Sequence, residues 1–158
     1  MCGKSTYGYA VAHSLGVPFI DLDEHIEEGL MAGEIIRLKG EEAFRREETE
    51  ALKRILAAGG DFVLALGGGT PMREESRALL REMCRVVWIK ASLEESVFNP
   101  EWAPLAAQRP LLDGGDKGRI TTLWESRIPV YESVADYIVE TDGKTPEEVI
   151  GEILGCVK

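Results

Sequence analysis

The chain has 158 residues, 44% of them hydrophobic and 29% charged, with a formal net charge of −10. This length suits one domain with a proper core, and the composition, free of repeats and low-complexity tracts, is that of an ordinary globular protein. The acidic balance excludes a general nucleic-acid binder; no apolar run or signal-peptide pattern points to a membrane, and three scattered cysteines (Cys2, Cys84, Cys156) suit reduced thiols, so the expectation is a cytoplasmic monomer of residues 1–158.

The first six residues read MCGKST. Gly3-Lys4-Ser5 fits the closing half of a phosphate-binding loop, although the four residues GKST alone would equally suit an exposed N-terminal tail. Backbone N–H groups and the following helix N-terminus attract phosphate, the lysine reaches the β/γ-phosphates of ATP, and the serine hydroxyl ligates Mg²⁺. The glycine that opens the full pattern, and the strand before it, would precede Met1, so the first strand of such a fold is expected to be missing. A helix follows over 5–15, stopped by Gly16, and then a short strand ending at Asp21-Leu22-Asp23. Helical pieces are expected from Asp23 to Glu28, over 33–39, and over 41–58, the last with Phe44, Ala51 and Ile55 inward and Gly59-Gly60 as its stop.

Residues 62–66 (FVLAL) form a continuous apolar run, as a strand buried on both faces should, and lead straight into Gly67-Gly68-Gly69. A helix over 74–83 and a strand over 85–89 come next. An irregular stretch over 91–118 follows, with a mobile lid expected at about 100–118. The chain closes with a helix over 119–131 bent at Pro129, a strand over 137–139, and a helix over 145–156 capped by Thr145 with Pro146 in its first turn. Strands alternating with helices predict an α/β fold: three layers, α/β/α, around a mostly parallel sheet. Ligands then gather at the carboxyl ends of the strands, where Asp21, Asp23 and the glycines fall.

Asp21 and Asp23 flank one residue at a strand end, so alternation points both carboxylates to one side. One would suit a Mg²⁺-linked group and the other a substrate-facing group, although Asp23 would equally serve as a helix cap. Three consecutive glycines cost more backbone entropy than a turn requires, and would let an anionic ligand approach main-chain N–H groups. Arg45, Arg109 and Arg127 each lie beside apolar anchors, and together could grip a carboxylate and a transferring phosphoryl group.

In order and approximate spacing, GKST, FIDLDEHIE, GEEAFRREE, LALGGGTP, RPLL and SRIPVYESVADY resemble the shikimate kinase family along almost the whole chain. The resemblance implies a P-loop fold related to nucleoside monophosphate kinases, with transfer of the γ-phosphate of ATP to the 3-hydroxyl of shikimate on the route to chorismate. It implies that Cys2, Gly3, Lys4, Ser5 and Thr6 hold the nucleotide, with Lys4 on the β/γ-phosphates. Ser5 would ligate Mg²⁺, assisted by Asp21 through water. Asp23 would bind shikimate hydroxyls and act as base, and Arg45 and Arg127 would clamp its carboxylate. Gly67, Gly68 and Gly69 would line substrate and γ-phosphate. Arg109 would arrive with the lid, and Pro146 would wall the adenine side. The substrate segment is expected at about 23–58.

The sequence departs from the family pattern in three places. The opening of the loop is absent, the segment between Asp23 and Gly40 is short with Ile36 in place of an aromatic, and 93–107 lacks an arginine before the lid. Two other readings therefore stand beside the first: another small-metabolite P-loop kinase, of gluconate or nucleoside monophosphate type, or a non-catalytic homologue.

Overall fold

A computed structural model describes residues 3–26, 32–94 and 117–158, without the side chains of 32–35. They fall in two compact units, one of Lys4–Arg85 and one that takes in Val86–Lys158, each with its own parallel strand pair.

The first unit runs α1 (Lys4–Leu15), β1 (Phe19–Asp21), α2 (Leu22–Ile26), α3 (Ala32–Lys39), α4 (Glu41–Ala58), β2 (Val63–Ala65), a 3₁₀ helix (Thr70–Met72) and α5 (Glu74–Met83). β1 and β2 pair in parallel, Phe19 with Val63, Ile20 with Leu64 and Asp21 with Ala65. Both strands therefore end at the same level. Helix α1 lies against both strands, whereas α4 packs chiefly on α2, α3 and α5. This division explains one departure from expectation: Val63 and Leu64 are half-buried, and only Ala65 of β2 is buried. The core gathers instead along α4, where the expected Phe44, Ala51 and Ile55 are buried and Leu52 and Leu56 join them.

Helix α4 also buries two polar residues, Glu48 and Thr49. The Thr49 hydroxyl donates to the Arg45 carbonyl at 2.9 Å, so in its 3.0 Å contact with Ser76 Oγ of α5 the serine is the donor. That pair fastens α4 to α5 without leaving either hydroxyl unsatisfied.

The second unit holds β3 (Val87–Lys90), α6 (Lys117–Val134), β4 (Tyr137–Glu140) and α7 (Pro146–Val157). β3 and β4 also pair in parallel, from Val87 with Tyr137 to Lys90 with Glu140. Helix α6 outruns its expected end at Tyr131. Pro129 removes one N–H from the ladder, but bonding resumes beyond it, with the Ala135 N–H donating to the Tyr131 carbonyl at 3.0 Å. At α7 the expected cap is present and double. The Thr145 hydroxyl accepts from the Glu148 N–H at 3.3 Å, and the Glu148 carboxylate accepts from the Thr145 N–H at 2.8 Å. Val149 and Ile153 then point inward one turn apart. Among the described residues no helix is long and apolar enough to cross a membrane.

Candidate active site

The common end of β1 and β2 is where the first unit concentrates its chemistry. Helix α1 begins there: Gly3 takes a left-handed conformation (φ +72°), and Lys4 and Ser5 open the first turn. The Ser5 hydroxyl donates to Asp21 Oδ2 at 2.8 Å, and Lys4 Nζ lies 3.5 Å from Ser5 Oγ and 4.0 Å from Asp23 Oδ2. An ammonium, a hydroxyl and two carboxylates thus meet at one helix N-terminus.

The two aspartates reach this point by a different route from the one expected. The strand stops at Asp21 and α2 already starts at Leu22, so Asp23 lies in a first helical turn rather than on the strand. Asp21 Oδ1 accepts the Asp23 N–H at 3.1 Å, which makes Asp21 the residue that caps the turn. The cap expected of Asp23 is thereby supplied two residues earlier, and the Asp23 side chain stays beside Lys4.

Gly67 follows β2 by two residues. Its backbone φ is not in the left-handed region, so conformation does not require a glycine there. Space does. A Cβ on Gly67 would stand 2.9 Å from Glu48 Oε1 and 3.0 Å from Asp23 Oδ1. Gly69 is ordinary right-handed backbone (φ −97°, ψ −11°), yet a Cβ there would sit 2.2 Å from the Arg45 guanidinium carbon. The expectation that the glycines admit a ligand is thus only part of the account, because two of them first admit the protein's own charged side chains. Gly68, between them, is exposed.

Arg45 is held from three sides. Nη1 donates to Glu48 Oε2 at 3.0 Å, Nη2 lies 3.6 Å from Glu41 Oε1, and the guanidinium carbon stands 5.2 Å from the centroid of the Phe44 ring. Glu48 itself is 1% exposed, and its other oxygen accepts the Thr70 hydroxyl at 2.6 Å. Burial pushes the Glu48 carboxyl above the usual carboxylate range; the Thr70 hydrogen bond and the Arg45 charge oppose that rise, and the nearby Asp23 charge adds to it. Glu48 and Thr70 were not among the expected site residues. The signal was present for Glu48: it stands in the inward stripe Phe44, Glu48, Ala51, Ile55, where a charge is out of place unless it has partners.

Of the other expected residues, Thr6 is exposed on α1. Arg127 is half-buried on α6 and Pro146 opens α7, both in the second unit. Cys2, Arg109 and the lid residues 100–116 lie outside the described residues. For Mg²⁺ the donor set fits. Ser5 and Asp21 offer hard oxygens 2.8 Å apart, and that ion is commonly held by one or two protein oxygens with substrate phosphates and water completing its shell.

Comparison with known proteins finds a family and relatives for this chain. A family model described as shikimate kinase matches residues 1–158. The shikimate kinase of Dictyoglomus turgidum is 40% identical over 154 residues, covering 96% of this chain and 89% of that protein. That of a Marinomonas species is 39% identical over 160 residues, covering 99% and 86%. Among solved structures, the Acinetobacter baumannii shikimate kinase in complex with shikimate superposes with a TM-score of 0.82 at 28% identity, covering 99% of this chain and 87% of that one. The Aquifex aeolicus enzyme gives 0.79 at 33% identity, covering 99% and 90%.

Proposed function

The chain belongs to the shikimate kinase family and is an ATP-dependent kinase acting on shikimate, and from this premise we propose how its own residues divide the reaction. The observation that carries the proposal is the convergence of Lys4, Ser5, Asp21, Asp23 and Arg45 around Gly67 and Gly69 at the shared end of β1 and β2.

ATP binds with its β/γ-phosphates at the N-terminus of α1, where the Lys4 ammonium and the N–H groups after Gly3 meet negative charge. Ser5 would hold the Mg²⁺ that accompanies the nucleotide, with Asp21 assisting through water; when bound, the ion would screen charge on the phosphates. Shikimate lies over the glycine turn with its carboxylate on Arg45 and its reacting hydroxyl at Asp23. The hydroxyl oxygen attacks the γ-phosphorus, the bond from that phosphorus to the bridging oxygen of ADP breaks, and the hydroxyl proton passes to the Asp23 carboxylate. Lys4 Nζ, 4.0 Å from Asp23 Oδ2, stands beside the group that accepts it. Little covalent work is asked of the protein; positioning and charge supply most of the acceleration. Roles for Arg127 on the substrate carboxylate and Arg109 with the lid rest on the SRIPVYE and RPLL matches, and Pro146, which opens α7, is assigned to the adenine side.

Asp23→Asn is the direct test. It is expected to lower kcat by about 10²–10⁴-fold, the range for a general base, while ATP affinity measured by titration changes by less than about threefold. Equal loss of ATP binding would assign Asp23 to structure instead. In a coupled ADP-release assay, gluconate and nucleoside monophosphates should give no more than background; turnover comparable with that on shikimate would overturn the substrate assignment.

A further inference from the structure

We propose that Thr70 is a positioning residue for shikimate: through Glu48 it fixes the Arg45 guanidinium against Gly69, and so sets the pose of the substrate carboxylate. The proposal rests on the reading that Arg45 binds that carboxylate.

Thr70 is 1% exposed and has one polar side-chain atom, which must find a partner when buried. It donates to Glu48 Oε1 at 2.6 Å, while Glu48 Oε2 accepts from Arg45 at 3.0 Å. The two contacts use different oxygens of one carboxylate, so Thr70 settles the rotation of the carboxylate plane, and that plane settles where the guanidinium lies. Neither end of the relay is loose. The Thr70 N–H donates to the Gly67 carbonyl at 3.1 Å, tying the hydroxyl to the glycine turn. Arg77, from α5, donates to the carbonyls of Pro71 and Met72 at 2.7 and 2.9 Å and holds the 3₁₀ helix from behind. At the far end, Arg45 has its guanidinium over the Cα of Gly69, with the Phe44 ring near it.

A hydroxyl donor has a second consequence. The charged groups facing Glu48 are Arg45 on its own helix and Asp23 from α2, and burial disfavours its ionised form. The Thr70 hydrogen bond opposes part of that penalty and so favours the charged form opposite Arg45. Valine in place of Thr70 keeps the shape and removes the donor.

Steady-state kinetics on Thr70→Val, Thr70→Ser, Arg45→Met and the Thr70→Val/Arg45→Met double variant test the relay. Thr70→Val should raise the KM for shikimate on the order of three- to tenfold, about the net worth of one ordinary hydrogen bond passed on to substrate binding, with kcat and the KM for ATP unchanged within about twofold. Thr70→Ser should restore the native value. In the Arg45→Met background the valine should add nothing, since the residue through which it acts is gone. An unchanged shikimate KM in Thr70→Val, no rescue by serine, or a full additive effect in the double variant overturns the proposal. If Thr70→Val does not fold, the same pattern is read on Thr70→Ala, which also removes the donor, against the same Thr70→Ser and Arg45→Met comparisons. A failure of the underlying reading shows separately: Arg45→Met alone would then leave the shikimate KM unchanged.

Discussion

Gly69 shows how a residue without a side chain can be specified by its neighbour's. Its φ of −97° is open to every amino acid, so its need for glycine comes from the Arg45 guanidinium 2.2 Å from where a Cβ would stand. Gly69→Ala must therefore displace Arg45, whose far end is flexible but pinned by Glu48 and Glu41. The expected outcome is a shikimate KM raised by about tenfold or more, the worth of one lost charge-assisted contact, with the KM for ATP little changed. Steady-state kinetics check it, and an alanine variant with native shikimate KM would mean that Arg45 reaches its ligand from elsewhere. Sequence reading identifies the glycines, both aspartates and Arg45, because each is an unusual residue in its local setting. It does not find Thr70, since a threonine before a proline in a turn is unremarkable until the fold brings it under a buried carboxylate.

At the scale of elements, much was legible because apolar spacing and capping chemistry are local. The bounds of α4 coincide with the expected 41–58, and Gly59 and Gly60 terminate it at φ +68° and +89°. Helix α7 follows from its cap in the same way, and its capping box gives a prediction of its own. Thr145→Ala removes one of two reciprocal bonds at an exposed helix end, at a cost of about 1 kcal/mol, or roughly 2–4 °C in Tm for a chain of this size. Thermal unfolding checks this, with kinetic constants expected to stay native. Less legible was the junction of β1 and α2. Alternation along a strand places Asp21 and Asp23 on one side only if the strand continues to Asp23, whereas the Asp21 carboxylate captures the Asp23 N–H and starts the helix first. The side chains still meet Lys4 and Ser5, for a helical rather than a pleated reason.

For the molecule as a whole, the buried acid leaves a signature in stability. Glu48 carries a pKa raised chiefly by burial, with the Thr70 hydrogen bond and the Arg45 charge opposing the rise and the Asp23 charge adding to it. The native state thus holds this proton more tightly than the unfolded chain does. Its stabilising increment is full below the ordinary carboxylate range and is lost as pH rises through the folded pKa. Relative to the native chain, Glu48→Gln should therefore gain in Tm as pH rises from that range to neutrality, because glutamine has no proton to give up. Thermal unfolding over a pH series measures it, and parallel Tm curves for the two proteins would show that Glu48 does not titrate in this way. The ladder that joins β1 to β2 carries a constraint of another kind, on length rather than identity. Three residue pairs set Asp21 level with Ala65, and the glycine turn is counted from there. Inherited changes of side chain along these strands alter packing by degrees. A single codon gained or lost between Ala65 and Gly67 would instead shift the phase of the turn that follows, moving Gly67, Gly69 and Thr70 out of step with Glu48 and Arg45 on α4 while leaving composition almost untouched. In this stretch the reading frame of the fold is less forgiving than its alphabet.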